Sequence, residues 1–404
     1  MPKGLRGFLF SPLADPLRFP QSGGASPSKS LQERPMHPEF PLQDGLIHLN
    51  HAAVAPWPQR TVHAVAGFAM QNGVAGSLNY PQWLEVEARL RRRLAHLIDA
   101  PSPDDIALCK NTSEALSLIA WGLTWQPGDN VVISDQEFPS NRIVWESLTP
   151  LGVEVRRAEI GGEDPEGAII AACDGRTRVV ALSAVQYGVG LKLDLPPIGD
   201  HCRKRGILFV VDAIQQLGAA PFDVEAAQAD FVAADGHKWM LGPEGIALFY
   251  SRPEARAQLQ LRQFGWHMVE HVGDFERLDW QPAATARRFE PGSPNMLGIY
   301  GLEASLSLLE EVGIDVVSRR IGERIELLIG SLQAAGHRLL TPRDPARHAG
   351  IVTFVPRDGD THGAFARLQQ AGVFCAPRGG GIRFSPHFHT PFSQLDIAVN
   401  AVEK

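Results

Sequence analysis

A lysine directly after a histidine, in the glycine-bounded run Asp235-Gly-His-Lys-Trp-Met-Leu-Gly-Pro-Glu-Gly, is the residue in this chain best placed to do chemistry. Apolar runs at 231–234 and 246–250 flank it. Asp212 lies 26 residues upstream, closing the strand-like run Gly206-Ile-Leu-Phe-Val-Val. An amine able to form a Schiff base and a carboxylate able to pair with a pyridinium nitrogen are what a protein must supply for pyridoxal phosphate (PLP) chemistry. Lys238 and Asp212 are therefore the candidate catalytic pair, and PLP is the cofactor they fit. Gly236, Gly242 and Gly245 allow backbone to approach a ligand closely. Burial and neighbouring cations would lower the Lys238 pKa and free its amine.

Other residues could complete such a site, each with a plainer role beside it. Asn111-Thr-Ser-Glu-Ala-Leu suits a phosphate cradle at a helix N-terminus, with the Thr112 and Ser113 hydroxyls and backbone amides facing the anion. The same run also reads as a capping box, Asn111 with Glu114. Gln215 can reach a ring hydroxyl or sit in a solvated turn. Phe138 can stack on the cofactor ring or fill core. Arg383, in Gly380-Gly-Ile-Arg-Phe-Ser-Pro-His, can clamp a substrate carboxylate in bidentate fashion or mark a strand edge. Asp212 itself also reads as a helix N-cap after a strand.

The elements that must position these residues alternate in an α/β pattern. Strands are predicted at 106–109, 130–134, 153–158, 178–183, 207–212 and 230–234, with helices over 83–98, 113–122, 141–148 and 195–205. Such alternation indicates a mainly parallel sheet covered on both faces, with ligands beyond the carboxyl ends of its strands. Beyond Gly292 the pattern changes to helices at 298–313 and 314–336, then a small unit of strands at 351–355 and 381–385 around a helix at 362–371. Three segments result: a loosely draped stretch over 1–40, a large cofactor-binding domain over 41–292 and a small α+β domain over 293–404. Met36, just ahead of the first strand near Leu46, is a candidate start of the protein.

Composition narrows the partners. The 404 residues are 44% hydrophobic and 21% charged with a formal charge of −7, which fits a globular protein and argues against nucleic acid. Arg91-Arg92-Arg93 reads as the wet side of an amphipathic helix. The four cysteines (Cys109, Cys173, Cys202, Cys375) have neither zinc nor disulfide spacing, so no metal is expected and a reducing cytoplasm suits them. No apolar run reaches membrane-span length.

Together these residues resemble the class V aminotransferase family of fold-type I PLP enzymes, which includes cysteine desulfurases and isopenicillin N epimerase-like enzymes. The resemblance runs in order from about Leu46 to the C-terminus. Leu49-Asn-His-Ala-Ala is similar to the N-terminal active-site segment, which implies substrate contact for Asn50 and His51. The resemblance implies that His237 contacts the phosphate, Asp212 and Gln215 bind the ring, and Arg383 binds the substrate carboxylate. It supports ring stacking for Phe138 and implies that Ser293, in Glu290-Pro-Gly-Ser-Pro-Asn, reaches the phosphate of the neighbouring subunit in a homodimer. The expected activity is a PLP-dependent reaction at the Cα of an amino acid through a Lys238 Schiff base, of aminotransferase type. Epimerisation, β-elimination and non-catalytic PLP binding are alternatives. A desulfurase is set aside because Phe138 stands where desulfurases stack a histidine, and because Cys375 lies in a short strand-to-turn rather than on their mobile loop. Asp235 before Gly-His-Lys and Tyr187, near where relatives place an asparagine, are further departures.

Overall fold

The computed structural model describes residues 37–403; the stretch read as loosely draped lies mostly outside them. Its last residues are firmly packed: Phe40 is buried, and its ring stacks on His389 with centroids 3.6 Å apart.

Strand β1 (Ile47–His48) begins the described secondary structure, followed by helices α1 (Gln59–Ala75) and α2 (Tyr80–Leu97). The central sheet comprises β2 (Ile106–Cys109), β3 (Asn130–Ser134), β4 (Glu154–Ala158), β5 (Thr177–Ser183), β6 (Leu208–Asp212), β7 (Phe231–Asp235) and β8 (Ala247–Ser251). Its order is β2-β8-β7-β6-β5-β3-β4. Strand β8 runs antiparallel to both neighbours, and the other pairings are parallel. Strands β6, β7 and β8 are buried along their whole length, which is why they read as unbroken apolar runs rather than alternating ones.

Period-two geometry divides the side chains between two cores. On β5, Val180 and Leu182 face one core, while Val179 and Ala181 face the other. The first core receives α2, α5 (Pro165–Ala172) and α6 (Leu195–Arg205); the second receives α3 (Thr112–Gly122), α4 (Ser140–Glu146) and the short α7 (Pro253–Arg256). Arg91 corrects the reading of a wet helix face. It is largely buried and joins Glu87 and Glu290, both within 2.6 Å, so α2 is tied by an ionic network as well as by its apolar stripe.

After β8 the chain forms α8 (Met296–Val312), which packs on α1 and α2, and α9 (Ile314–Ala334). Val317, Ile321, Ile325, Leu328 and Leu332 on α9 are buried, as their spacing predicts. A second sheet follows from β9 (Arg338–Leu339), β10 (Val352–Val355), β12 (Ala376–Arg378) and β13 (Gly381–Phe384), in the antiparallel order β12-β13-β10-β9. Helices α10 (Thr361–Gln370) and α11 (Phe392–Glu403) cover it, while β11 (Val373–Phe374) pairs in parallel with β1.

That last pairing explains how distant segments meet. The chain after β1 continues along β13: Ser385 N–H donates to Leu49 O at 2.8 Å, and Ala52 N–H donates to Ser385 Oγ at 3.1 Å. The same segment then reaches the lysine turn, where Ala55 N–H donates to His237 O at 2.9 Å.

Candidate active site

The carboxyl ends of the apolar strands carry polar residues: Ser134, Ser183, Asp212 and Asp235 close β3, β5, β6 and β7. Beyond this edge lies a cavity of about 250 Å³. Lys238, Asp212, Gln215, Thr112, Ser113, Phe138, His237 and Arg383 all line it, so most of the predicted constellation is brought together from well-separated parts of the chain.

Lys238 sits in a turn held by its own backbone. Gly242 N–H donates to Gly236 O at 2.8 Å, and Leu241 N–H donates to Lys238 O at 3.0 Å. Leu241 adopts φ +61°, a left-handed conformation that a leucine occupies at a cost in strain. Trp239 anchors the turn: its ring is fully buried, and Nε1–H donates to Gln215 Oε1 at 2.8 Å. Lys238 is buried, and its Nζ stands over the Phe138 ring, 5.5 Å from the centroid. Burial drives its pKa down; Asp212 opposes the shift and Arg383 adds to it.

Asp212 is buried and receives one hydrogen bond, from Ile214 N–H at 3.1 Å. Desolvation pushes its carboxyl up, and only a facing cation would reverse that. Gln215 is more committed than expected. Its Nε2 donates to Ala52 O at 3.0 Å and its Oε1 accepts from Trp239, leaving one amide hydrogen for a ligand.

At the mouth of α3 both readings hold. Asn111 Oδ1 accepts from Glu114 N–H at 2.9 Å, while Glu114 accepts from Lys110 N–H at 2.6 Å rather than returning to Asn111. The amides of Thr112 and Ser113 find no acceptor among the described residues. Thr112 Oγ1 accepts from Asp235 N–H at 3.1 Å, which leaves its hydroxyl hydrogen free. Asp235 Oδ1 lies 3.0 Å from His237 Nδ1, too poorly aligned for a hydrogen bond, and neither atom has another partner among the described residues.

Arg383 is buried on β13. Its Nη1 donates to Tyr187 O at 2.8 Å, Nη2 lies 3.4 Å from Asn50 Oδ1, and Nε has no partner. Burial first, and Arg378 second, bring its pKa down to about 10. An unpaired donor of this kind costs about 1–3 kcal/mol, which a bound carboxylate would recover. The donor set suits PLP and an amino acid: open amides for a phosphate, a lone carboxylate for a ring cation, an unpaired amine and an unpaired guanidinium nitrogen.

Three predicted residues do not line the cavity: Asn50, which is buried and touches Arg383 Nη2 rather than the open space, His51 and Ser293. His51 does not touch the cavity; it is fully buried behind Trp239 among His48, His387 and His389, and its Nδ1 pairs with Ser385 O at 2.9 Å. In this fold it packs among those rings, off the cavity lining. Ser293 lines a separate cavity of about 390 Å³ with Lys110 and Glu114. Two functional candidates escaped the sequence reading. Glu137, next to Phe138 in the chain, is buried and accepts from Ser134, Asn141, Ser183 and Gln186. Arg378 lines the cavity beside Arg383.

Residues 47–381 match the family described as aminotransferase class-V. The chain belongs to that family. It is a PLP-dependent enzyme, and its α/β architecture is the type I fold of such enzymes. Among its relatives, a probable cysteine desulfurase of Methanothermobacter thermautotrophicus is 29% identical over 91% of this chain and 96% of its own length. An uncharacterized aminotransferase, YcbU, of Bacillus subtilis is 26% identical over 92% of this chain and 96% of its own. In structure, the apo cysteine desulfurase of Thermococcus onnurineus superposes with a TM-score of 0.81 at 24% identity, covering 90% of this chain and 96% of that one. A C-DES mutant carrying glycine covalently linked to PLP gives 0.83 at 22% identity, covering 90% and 98%. Setting desulfurases aside finds no support in these relatives, several of which bear that name.

Proposed function

We propose that this enzyme acts at the Cα of a free amino acid, with Lys238 as the cofactor's attachment point and as the base that moves the Cα proton. Bound PLP supplies an electron-withdrawing ring that stabilises negative charge at that carbon. Arg383 holds the substrate carboxylate through its unpaired Nε and the free edge of its guanidinium. Asp212 keeps a positive charge on the ring, and the amides of Thr112 and Ser113 with His237 hold the phosphate. Phe138 covers one face of the ring. The observation that carries this reading is the convergence on one cavity of a buried lysine without a hydrogen-bond partner and a buried arginine whose Nε has none.

Transamination is the reaction we favour. Among the described residues no cysteine lines the cavity, and Cys375 is buried with its thiol pushed up to about 12 by desolvation. The relatives' names favour a second reading, removal of sulfur from cysteine. Incubating the PLP-loaded enzyme with single amino acids separates the two. Transamination converts the cofactor to its amine form and releases a keto acid; desulfuration of cysteine releases alanine and, with an added thiol as the two-electron reductant, sulfide. Loss of neither product in Lys238→Ala would overturn the proposal.

We also propose a homodimer in the cytoplasm. Exposed Phe264, Trp266, Phe275, Leu278 and Trp280 form an apolar surface suited to a second copy, and Ser293 lines a cavity separate from that of Lys238, from which it could serve the partner's site. Four free cysteines suit a reducing compartment, and no described helix is long and apolar enough to cross a membrane. The division near residue 292 into large and small domains is supported by the separate sheets on either side of it.

A further inference from the structure

We propose that Arg378 is the recognition site for a second anionic group on the substrate, so that the preferred substrates are amino acids with acidic side chains. This rests on the reading of Arg383 as the clamp for the α-carboxylate.

The register of the small sheet places the two arginines together. Strands β12 and β13 are antiparallel, with Ala376 opposite Arg383 and Arg378 opposite Gly381. Side chains two residues apart on a strand share a face, as do directly opposed residues. Arg378 and Arg383 therefore occupy diagonal positions on one face, roughly 7–8 Å apart at the backbone, and both line the Lys238 cavity. Two long side chains on that spacing can converge on the two carboxylates of a four- or five-carbon acidic amino acid.

The turn between them is rigidly placed. Gly379 and Gly380 have φ of +60° and +81°, and a Cβ on Gly379 would lie 2.4 Å from Gly188 O. The hairpin thus packs closely on the Tyr187–Gly188 backbone, whose Tyr187 carbonyl also receives Arg383 Nη1. The Tyr187–Gly188 backbone thus holds the Arg383 guanidinium directly and the hairpin that carries Arg378 by close packing.

Arg378 has no other evident use. Its Nη1 donates to the neighbouring Pro377 O at 2.8 Å, and among the described residues no carboxylate lies within ion-pair distance of it. It is exposed to the cavity mouth rather than sealed, and it adds positive charge near Arg383. A neutral side chain leaves this fork in water; a carboxylate or sulfinate accepts two parallel hydrogen bonds from it.

The test uses the PLP-loaded enzyme and matched pairs: aspartate with asparagine, glutamate with glutamine, and cysteine sulfinate with cysteine. Dissociation constants come from the change in cofactor absorption, and kcat/KM from product formation. The acidic member of at least one pair should be favoured by roughly 10- to 100-fold. Arg378→Gln should erase that preference by weakening the acidic member alone, and Arg378→Lys should retain part of it. Retention of the cofactor band shows that each variant is folded. Equal handling of acidic and neutral partners by the unaltered enzyme would overturn the inference while leaving the Lys238–Arg383 reading intact. Equal weakening of both partners in Arg378→Gln would overturn it too, assigning Arg378 to the α-carboxylate. A cofactor band that no amino acid perturbs would instead sink the underlying proposal, and the inference with it.

Discussion

The Lys238 amine stands over the face of the Phe138 ring, 5.5 Å from its centroid, although the two residues come from different strand ends of the sheet. Glu137 fixes the ring's side of this relationship. Its buried carboxylate gathers Ser134 from the end of β3, Asn141 from α4 and Ser183 from β5, which ties down the backbone next to Phe138. Replacing Phe138 by Leu should weaken PLP retention about 2- to 10-fold, the worth of an aromatic contact beyond area burial. Equilibrium dialysis of the loaded protein measures it, and unchanged retention would remove Phe138 from the cofactor's surroundings.

Arg383→Lys keeps the charge but loses the planar fork. Amino-acid affinity should fall by roughly 10- to 100-fold while PLP binding stays unchanged. Titrating the cofactor spectrum with substrate checks both halves, and a variant that loses PLP as well would show that Arg383 supports the cofactor instead.

Asp212→Asn should lower the Lys238 pKa further, because the Asp212 charge helps hold it up against burial. The pH dependence of amine labelling in the cofactor-free protein reads this directly. A shift upward, or none, would mean the two groups do not feel one another. Turnover should be lost in the same variant, since a neutral amide cannot hold the ring cation.

Acid should unfold this protein steeply. Burial lowers the pKa of His48 to about 4 and of His387 to about 3, and brings His51 and His389 well down. A folded-state pKa below the unfolded value means that only the unfolded chain takes up the proton. Stability is therefore intact above the unfolded value of about 6.5 and is lost as pH falls below it, at about 1.4 kcal/mol per pH unit for each histidine. The His48 contribution ends near pH 4 and that of His387 near pH 3, where each titrates in the folded protein. Thermal melts from pH 7 to 4.5 should fall with this slope, and His389→Phe should flatten it, since neither ring nitrogen of His389 has a partner to lose.

Much of this was legible in the residues. Strand β3 and helix α6 carry the predicted bounds because an apolar run ends in a polar residue at Ser134, and because Gly206 ends α6 with φ +67°. The site was legible because Lys238, Asp212 and Arg383 carry chemistry in short, distinctive surroundings. Helix α1 was missed because Pro58 gives it no side-chain cap and its apolar residues, Phe68 inward with Met70 and Val74 exposed, form no single stripe. The direction of β8 was hidden because a fully buried strand looks the same either way. His51 was misplaced because a histidine beside a binding segment reads like a ligand contact, and only the fold reveals the wall of rings around it. Arg378 needed the β12–β13 register, which a single sequence does not supply.

The most direct measurement is borohydride reduction of the PLP-loaded protein followed by peptide mapping of the fixed cofactor. The label should fall on the peptide containing Lys238 and on no other lysine, and it should vanish in Lys238→Ala. A label elsewhere, or none after full loading, would contradict the assignment of this cavity as the catalytic centre.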